Sequence, residues 1–227
     1  MANYFITGTN RGLGLEFVHQ LLNRGDKVIA TCRDLKTAEK LNTLSDNDVL
    51  EIYSLDVGNH EQLTKLQKKL HDQPIDVLIN NAGIWRSSQL GNISIDDWMQ
   101  SFRINSIAPI KIIETFLPNL ILGKDKKVIS ITSKMGSIAD NTSGSSYLYR
   151  SSKTALNSAM HCLNHDLREK KIATCTLHPG WVRTDMGGPS GWIDAHESVS
   201  GMLEVIDQLS LKNTGQYIDY AGKLIPW

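Results

Sequence analysis

The chain has 227 residues, which fits one α/β domain and is enough to bury a large core without cross-links. Basic and acidic residues number 24 each, and this balance argues against a dedicated binder of nucleic acid or of acidic membranes. The cysteines are widely spaced, no signal-peptide pattern occurs, and no apolar run reaches the roughly 18 residues of a membrane span, so we expect free thiols and a cytoplasmic protein.

Apolar runs with the length of strands alternate with amphipathic stretches along the chain. In chain order, the predicted strands are 3–7, 27–32, 49–55, 76–80, 127–133, 172–178 and 215–220. The stretches between them predict helices over 13–22, 37–44, 61–70, 95–122, 149–170 and 198–209. Such alternation implies right-handed βαβ units, and strands that are apolar on both faces imply helices on both sides of the sheet. The sequence therefore predicts a single doubly wound (Rossmann) α/β domain over residues 1–227, with about seven parallel strands.

The segment TGTNRGLG connects the first predicted strand to the first predicted helix. Glycines here would let the main chain turn tightly and approach a pyrophosphate on the helix N-terminus. The spacing is G-x-x-x-G-x-G rather than the commoner G-x-G-x-x-G, and an ordinary glycine-rich turn would look the same in isolation. Its place in a βαβ unit favours a dinucleotide site. The turn residues predicted to bind the cofactor are Gly8, Asn10, Arg11, Gly12, Leu13 and Gly14.

The residues after the second predicted strand bear on the choice between NAD and NADP. An acidic side chain there would accept hydrogen bonds from the adenosine ribose 2′-OH, whereas an arginine would bind a 2′-phosphate. Arg33 lies here, and Arg11 is a second cation within reach, which favours NADP(H) over NAD(H). Asp34 is the competing observation, and we interpret it as the cap of the next helix.

The segment YLYRSSK, residues 147–153, contains two tyrosines and one lysine. Tyr149 and Lys153 are four residues apart and would share one face of a helix, whereas Tyr147 has Ser151 at that offset. A free tyrosine has a pKa near ~10, and a nearby ammonium lowers it by stabilising the phenolate. Tyr149 is therefore the candidate general acid, although a surface tyrosine and lysine would give the same spacing.

The motifs of the chain, in this order, resemble those of the short-chain dehydrogenases/reductases, and within them the C-factor and sniffer-type carbonyl reductases. They are TGTNRGLG (7–14), Asp56-Val57, NNAG (80–83), Asn105, Ser133, YRSSK (149–153) and HPGWVRTDM (178–186). The segment CRD after the second strand and the closing YAGKLIPW favour the carbonyl-reductase group. The resemblance implies an NADPH-dependent carbonyl reductase that transfers hydride to a ketone or aldehyde.

The resemblance also implies four catalytic residues. Ser133 would hydrogen-bond the substrate carbonyl, and it ends a strand where a doubly wound sheet has its ligand crevice. Tyr149 would donate the proton, and Lys153 would lower the pKa of Tyr149 and bind the nicotinamide ribose. Asn105 would hold a water that relays protons to Lys153. Taken alone, Asn105 would be interpreted as a polar residue that satisfies local backbone groups.

Further cofactor contacts are implied for the loops after the later strands. Asp56 would hydrogen-bond the adenine, and Val57 would pack beside it. The residues expected to line the adenosine ribose are Asn81, Ala82 and Gly83. Those expected at the carboxamide and the phosphates are Pro179, Gly180, Val182 and Thr184.

The substrate side of the site is predicted from two glycine- and serine-rich segments. Residues 185–200 are expected to form a mobile lid over a modest pocket. Residues 141–146 are expected to loop out at the substrate mouth, with Tyr147 as one of its walls. Three further side chains are candidate apolar walls or, equally, packing residues: Trp181, Met186 and Trp192.

Two other functions stay open at this point. A signalling or regulatory protein of the C-factor type would bind a cofactor with little turnover, and an NAD-dependent alcohol dehydrogenase would run the reaction in reverse. The complete catalytic set favours the enzyme, because a sensor does not need it. Analogy with the family predicts a small carbonyl or alcohol substrate and a homodimer or homotetramer. No metal site is expected, since the His161 and His165 pair lacks a third ligand.

Overall fold

The computed structural model describes residues 1–227 and contains one seven-stranded sheet in the order β3-β2-β1-β4-β5-β6-β7. All neighbouring strands are parallel. The strands are β1 (Asn3–Thr7), β2 (Lys27–Cys32), β3 (Leu50–Ser54), β4 (Val77–Asn80), β5 (Lys127–Ile131), β6 (Ala173–His178) and β7 (Gln216–Asp219). The predicted doubly wound fold is confirmed. Because the chain returns from β3 to β4 beside β1, a ligand crevice is expected at the carboxyl ends of these strands.

Eight α-helices connect the strands and cover both faces of the sheet. They are α1 (Gly12–Asn23), α2 (Glu39–Asn42), α3 (His60–Lys69), α4 (Ile95–Phe102), α5 (Ala108–Thr115), α6 (Leu117–Leu122), α7 (Tyr147–Arg168) and α8 (Ala195–Gln208). Short 3₁₀ turns occur at Leu35–Thr37 and Lys134–Gly136. None of the helices is both long enough and apolar enough to cross a lipid bilayer.

The prediction of one continuous helix over 95–122 is wrong. A π-helical turn, Arg103–Ile107, separates α4 from α5, and the chain breaks again at Phe116 before α6. Each break precedes a helix with a proline in its first turn, Pro109 in α5 and Pro118 in α6. Proline has no N–H to donate to the carbonyl four residues earlier, and its ring crowds that carbonyl. The π-helical turn therefore falls on the predicted catalytic Asn105.

The core consists of two apolar layers, one on each face of the sheet. Alternation along β1 directs Tyr4 and Ile6 into the layer of 25 buried residues under α1 and α8. The same alternation directs Phe5 into the opposite layer of 19 buried residues under α3, α5 and α7. The two layers fix the carboxyl ends of the strands, from which the loops of the candidate site emerge.

Candidate active site

The glycine turn between β1 and α1 requires glycine at two positions because other parts of the chain approach it closely. Gly8 has φ +71°, and a Cβ there would lie 2.9 Å from the Ala82 Cα. A Cβ at Gly14 would lie 2.1 Å from the Gly8 carbonyl oxygen. Both distances are far below van der Waals contact, so a larger residue at either position would displace the turn.

The Asn81 amide fixes the shape of this turn. Its Nδ2 donates to the carbonyl oxygens of Thr7 and Gly8, each at 2.9 Å. In return, the Thr7 Oγ1 accepts from the main-chain N–H groups of Asn81 and Ala82, each at 3.1 Å. The Asn81 side chain thus joins the ends of β1 and β4, and its predicted contact with the ribose stays a prediction.

The first turn of α1 has the properties of an anion site. Helix α1 begins at Gly12, its N-cap Arg11 makes no capping hydrogen bond through its side chain, and the first turn contains no acidic residue. Unsatisfied N–H groups and the helix dipole therefore give this end a positive potential. A pyrophosphate fits this position. Thr184 is adjacent, since a Cβ on Gly12 would lie 3.6 Å from the Thr184 Cγ2.

The residues predicted at the adenosine end adopt distinct local roles. Asp34 caps the 3₁₀ turn after β2, where its carboxylate accepts from Lys36 N at 2.9 Å, which confirms its interpretation as a cap. Asp56 accepts from Gly58 N at 2.9 Å, while the buried Val57 packs in the apolar layer under α3. Arg33, directly after β2, is exposed and makes no ion pair.

Arg11 lies between the glycine turn and the predicted lid. Its Nη1 is 2.8 Å from the Asp185 Oδ2, and both side chains are exposed. An exposed ion pair of this kind contributes little to stability, about 0–1 kcal/mol. Arg11 is therefore free to exchange this partner for another anion.

Three of the predicted catalytic side chains meet at the carboxyl end of β5. Tyr149 and Lys153 lie one turn apart on α7 and are 8% and 5% exposed. The Lys153 Nζ donates to the Ile131 carbonyl oxygen at 2.8 Å and lies 5.8 Å from the centre of the Tyr149 ring. Ser133 lies two residues beyond β5, close enough to Tyr149 for its side chain to act on the pKa of the phenol.

Burial controls the protonation of this group. It raises the pKa of Tyr149 to about 12, and the Ser133 side chain acts in the opposite direction. Burial also lowers the pKa of Lys153 to about 8. The pKa of Tyr149 therefore lies above its ordinary value in the protein alone, because loss of water penalises the phenolate. The lowering expected from Lys153 stays a prediction. At neutral pH, Tyr149 is protonated, which is the form that can donate a proton.

Asn105 is fully buried in the π-helical turn and holds the loop after β4. Its Oδ1 accepts from Ile84 N at 2.8 Å, and its Nδ2 donates to Ile84 O at 2.9 Å and to Ser152 Oγ at 3.1 Å. Both N–H groups of the amide are used, so the side chain satisfies backbone groups. This is the interpretation that the residue suggested without the resemblance, and the water relay stays a prediction.

Trp85, which lies outside all the sequence motifs, covers the candidate acid. The ring centres of Trp85 and Tyr149 are 4.6 Å apart, and Trp85 is 39% exposed. The loop that carries it also ties down α7, since Ser88 Oγ accepts from Leu148 N at 3.2 Å. A tryptophan two residues after NNAG was a visible signal, but the contact depends on a loop conformation that spacing does not predict.

The segment predicted as a lid, residues 185–200, overlaps helix α8 from Ala195 onward, and its role as a lid stays a prediction. Helix α8 begins at Ala195, because the Asp194 carboxylate caps it by accepting from Glu197 N at 2.8 Å. The preceding segment folds back on itself, with Trp192 N donating to Trp181 O at 2.7 Å. The two indoles also pack edge to face, with ring centres 5.5 Å apart.

The other residues predicted around this segment are placed as follows. Val182 is buried and pairs with Ile193 through the main chain. Gly180 also lies close to Ile193, since a Cβ on Gly180 would be 2.8 Å from the Ile193 Cδ1. The Pro179 carbonyl accepts from Ser198 Oγ at 2.6 Å. The exposed apolar side chains are Tyr147, Trp181, Met186 and Trp192. These four side chains are therefore accessible to a ligand.

Comparison with known proteins identifies the family of the chain. The sequence pattern of the short chain dehydrogenase family matches residues 2–191. The chain is 46% identical to the C-signal of Myxococcus xanthus over 157 residues, which are 68% of this chain and 93% of that protein. It superposes on the carbonyl reductase Sniffer of D. melanogaster with a TM-score of 0.94 and 33% identity over 100% of both chains. For an NADPH-bound carbonyl reductase from chicken fatty liver, the TM-score is 0.93 at 35% identity, covering 100% of this chain and 99% of that one. The chain therefore belongs to the short-chain dehydrogenase/reductase family of NAD(P)-dependent oxidoreductases.

Proposed function

We propose that the chain is an NADPH-dependent carbonyl reductase that converts a small ketone or aldehyde into an alcohol. The observation that carries the proposal is the meeting of Ser133, Tyr149 and Lys153 at one end of the sheet. This end is also where α1 presents an uncapped, positive N-terminus. Its relatives of known structure include proteins described as carbonyl reductases, one of them with bound NADPH.

The proposed chemistry assigns one task to each side chain. The bound nicotinamide supplies the hydride. The Ser133 hydroxyl holds the carbonyl oxygen and stabilises the negative charge that develops on it. Tyr149 gives its phenolic proton to that oxygen, and Lys153 lies close enough to stabilise the phenolate that remains. Trp85 limits the access of water to the phenol.

The preference for NADP(H) rests on charge. Arg33 is exposed at the end of β2 without an ion-pair partner, while the carboxylate of Asp34 is engaged by its own turn. The position thus offers a cation, while one oxygen of its acidic side chain is already held by the cap. Arg11 would add a second cation on release from Asp185.

The reaction is tested by NADPH oxidation with a panel of small aldehydes and ketones, beside direct measurement of NADPH binding. Turnover with several carbonyls supports the reductase. Incubation with NADP⁺ or NAD⁺ and the matching alcohols tests the reverse direction. Faster alcohol oxidation with NAD⁺ than carbonyl reduction with NADPH would support the dehydrogenase instead.

A signalling role is the second candidate, and the 46% identity to the C-signal supports it. The two functions differ in their need for the catalytic group, since binding alone requires neither Ser133 nor Tyr149. A wild-type chain that binds NADPH tightly but reduces no carbonyl of the panel would favour the regulator.

A further inference from the structure

The Ser133 peptide is held by a residue on β7, the edge strand that lies two strands from β5, and this residue has no assigned role. Tyr217 lies on β7, is 1% exposed, and its hydroxyl donates to the Ser133 carbonyl oxygen at 2.6 Å. The last β5 ladder residue is Ile131, and Thr132 N still donates to Leu177 O at 2.9 Å. Beyond Thr132 the sheet no longer supports the chain. The Tyr217 hydroxyl is thus the contact that continues this support to Ser133.

A second contact surface reaches the same segment from residues 224–227, which we call the strap. Ile225 N donates to the Tyr217 carbonyl at 2.8 Å, so the strap runs beside β7. The Trp227 ring packs on the Tyr217 ring with centres 5.2 Å apart. The main-chain oxygen of Trp227 accepts from Ile138 N at 2.7 Å and from Ala139 N at 3.2 Å. The strap therefore joins Tyr217 to the segment that follows Ser133.

We propose that Tyr217, supported by Trp227 of the strap, is a positioning residue that sets the Ser133 hydroxyl for the substrate carbonyl. The inference rests on the proposed reductase function. The Ser133 Oγ accepts from Met135 N at 3.2 Å, so its direction follows the conformation of the 3₁₀ turn after it. Without the Tyr217 hydroxyl, the Ser133 carbonyl oxygen keeps only the hydrogen bond from Gly136 N, at 2.8 Å within the same 3₁₀ turn, and loses its one tie to β7. The turn that carries Ser133 can then shift relative to the sheet. Small displacements of a catalytic group are costly to the rate.

The first test compares Tyr217→Phe with Tyr53→Phe. Tyr53 is the matched control, because it lies on β3 at the opposite edge of the sheet and donates its hydroxyl to Glu51 there. We expect Tyr217→Phe to lower kcat about 10-fold, equivalent to about 1.4 kcal/mol, with the NADPH dissociation constant unchanged. Tyr53→Phe should leave kcat within about twofold of wild type, as expected for a change away from the site.

A double-mutant cycle with Ser133→Ala separates positioning from general damage. If Tyr217 acts through the Ser133 hydroxyl, Tyr217→Phe should have no further effect on kcat in the Ser133→Ala background. An equal fold-loss in both backgrounds would overturn the proposal. Trp227→Ala should repeat the loss seen with Tyr217→Phe, and Trp227→Phe should restore most of kcat because it keeps the aromatic contact.

Hydrogen exchange gives a readout that does not need turnover. Tyr217→Phe should speed exchange of amides in residues 133–139, and Tyr53→Phe should not. Unchanged exchange together with unchanged kcat in Tyr217→Phe would overturn the inference while leaving the reductase proposal intact. A wild type without carbonyl turnover would instead refute the proposed function, whatever the exchange result.

Discussion

Replacing Asn105 with alanine removes three hydrogen bonds at a fully buried position. The bonds are those to the N–H and carbonyl of Ile84 and to the Ser152 hydroxyl. A typical hydrogen bond contributes about 1 kcal/mol net, so we expect the free energy of unfolding to fall by about 3 kcal/mol. In a chain of this length, each kcal/mol corresponds to about 2–4 °C, which predicts a fall in Tm of roughly 6–12 °C.

Urea unfolding at constant pH measures this loss, with a thermal melt as the second probe. Asn42→Ala is the control, because it removes one exposed hydrogen bond, from Nδ2 to Leu35 O at 2.8 Å. It should change the free energy of unfolding by less than about 0.5 kcal/mol. If Asn105→Ala lies within about 1 kcal/mol of wild type, its amide does not hold the loop after β4.

Three further predictions concern the cofactor and the candidate acid. Gly14→Ala would force a Cβ to 2.1 Å from the Gly8 oxygen and displace the turn. Isothermal titration should then show NADPH binding weakened roughly 10–100-fold, which corresponds to the loss of one or two charge-assisted hydrogen bonds. Arg33→Asp should abolish the preference for NADPH; unchanged relative kcat/KM values for NADPH and NADH would refute that assignment. Trp85→Ala should admit water to Tyr149 and lower its pKa from about 12, so the alkaline fall of kcat for carbonyl reduction, where the acid is lost, should move to lower pH. A pH profile that does not move would show that Trp85 does not desolvate the phenol.

The sheet was predictable because its central strands are short runs that are buried on both faces. The helical offset of Tyr149 and Lys153 likewise follows from local geometry, and the structure places both on one buried face of α7. Asp34 was also correctly identified as a cap, since its carboxylate reaches only to Lys36 N. These features depend on neighbours in sequence, which periodicity and spacing describe.

Features that depend on contacts between distant segments were not predictable. Tyr217 and Ser133 are separated by 84 residues and meet only because β6 lies between β5 and β7 in the sheet. The raised pKa of Tyr149 depends on burial, which the lysine at offset four does not reveal. The break between α4 and α5 did have a local signal in Pro109, but apolar periodicity continued through it.

The most direct measurement is NADPH oxidation by three proteins, wild type, Tyr149→Phe and Tyr147→Phe, with the same carbonyl panel. Tyr149 is buried beside Lys153, whereas Tyr147 is exposed with Ser151 at the corresponding offset. Tyr149→Phe should lower kcat by about 10²–10⁴-fold, as expected for loss of a general acid, while NADPH binding is kept. Tyr147→Phe should mainly change the ranking of substrates. Equal losses in the two variants, or full activity of Tyr149→Phe, would contradict the assignment of Tyr149 as the proton donor.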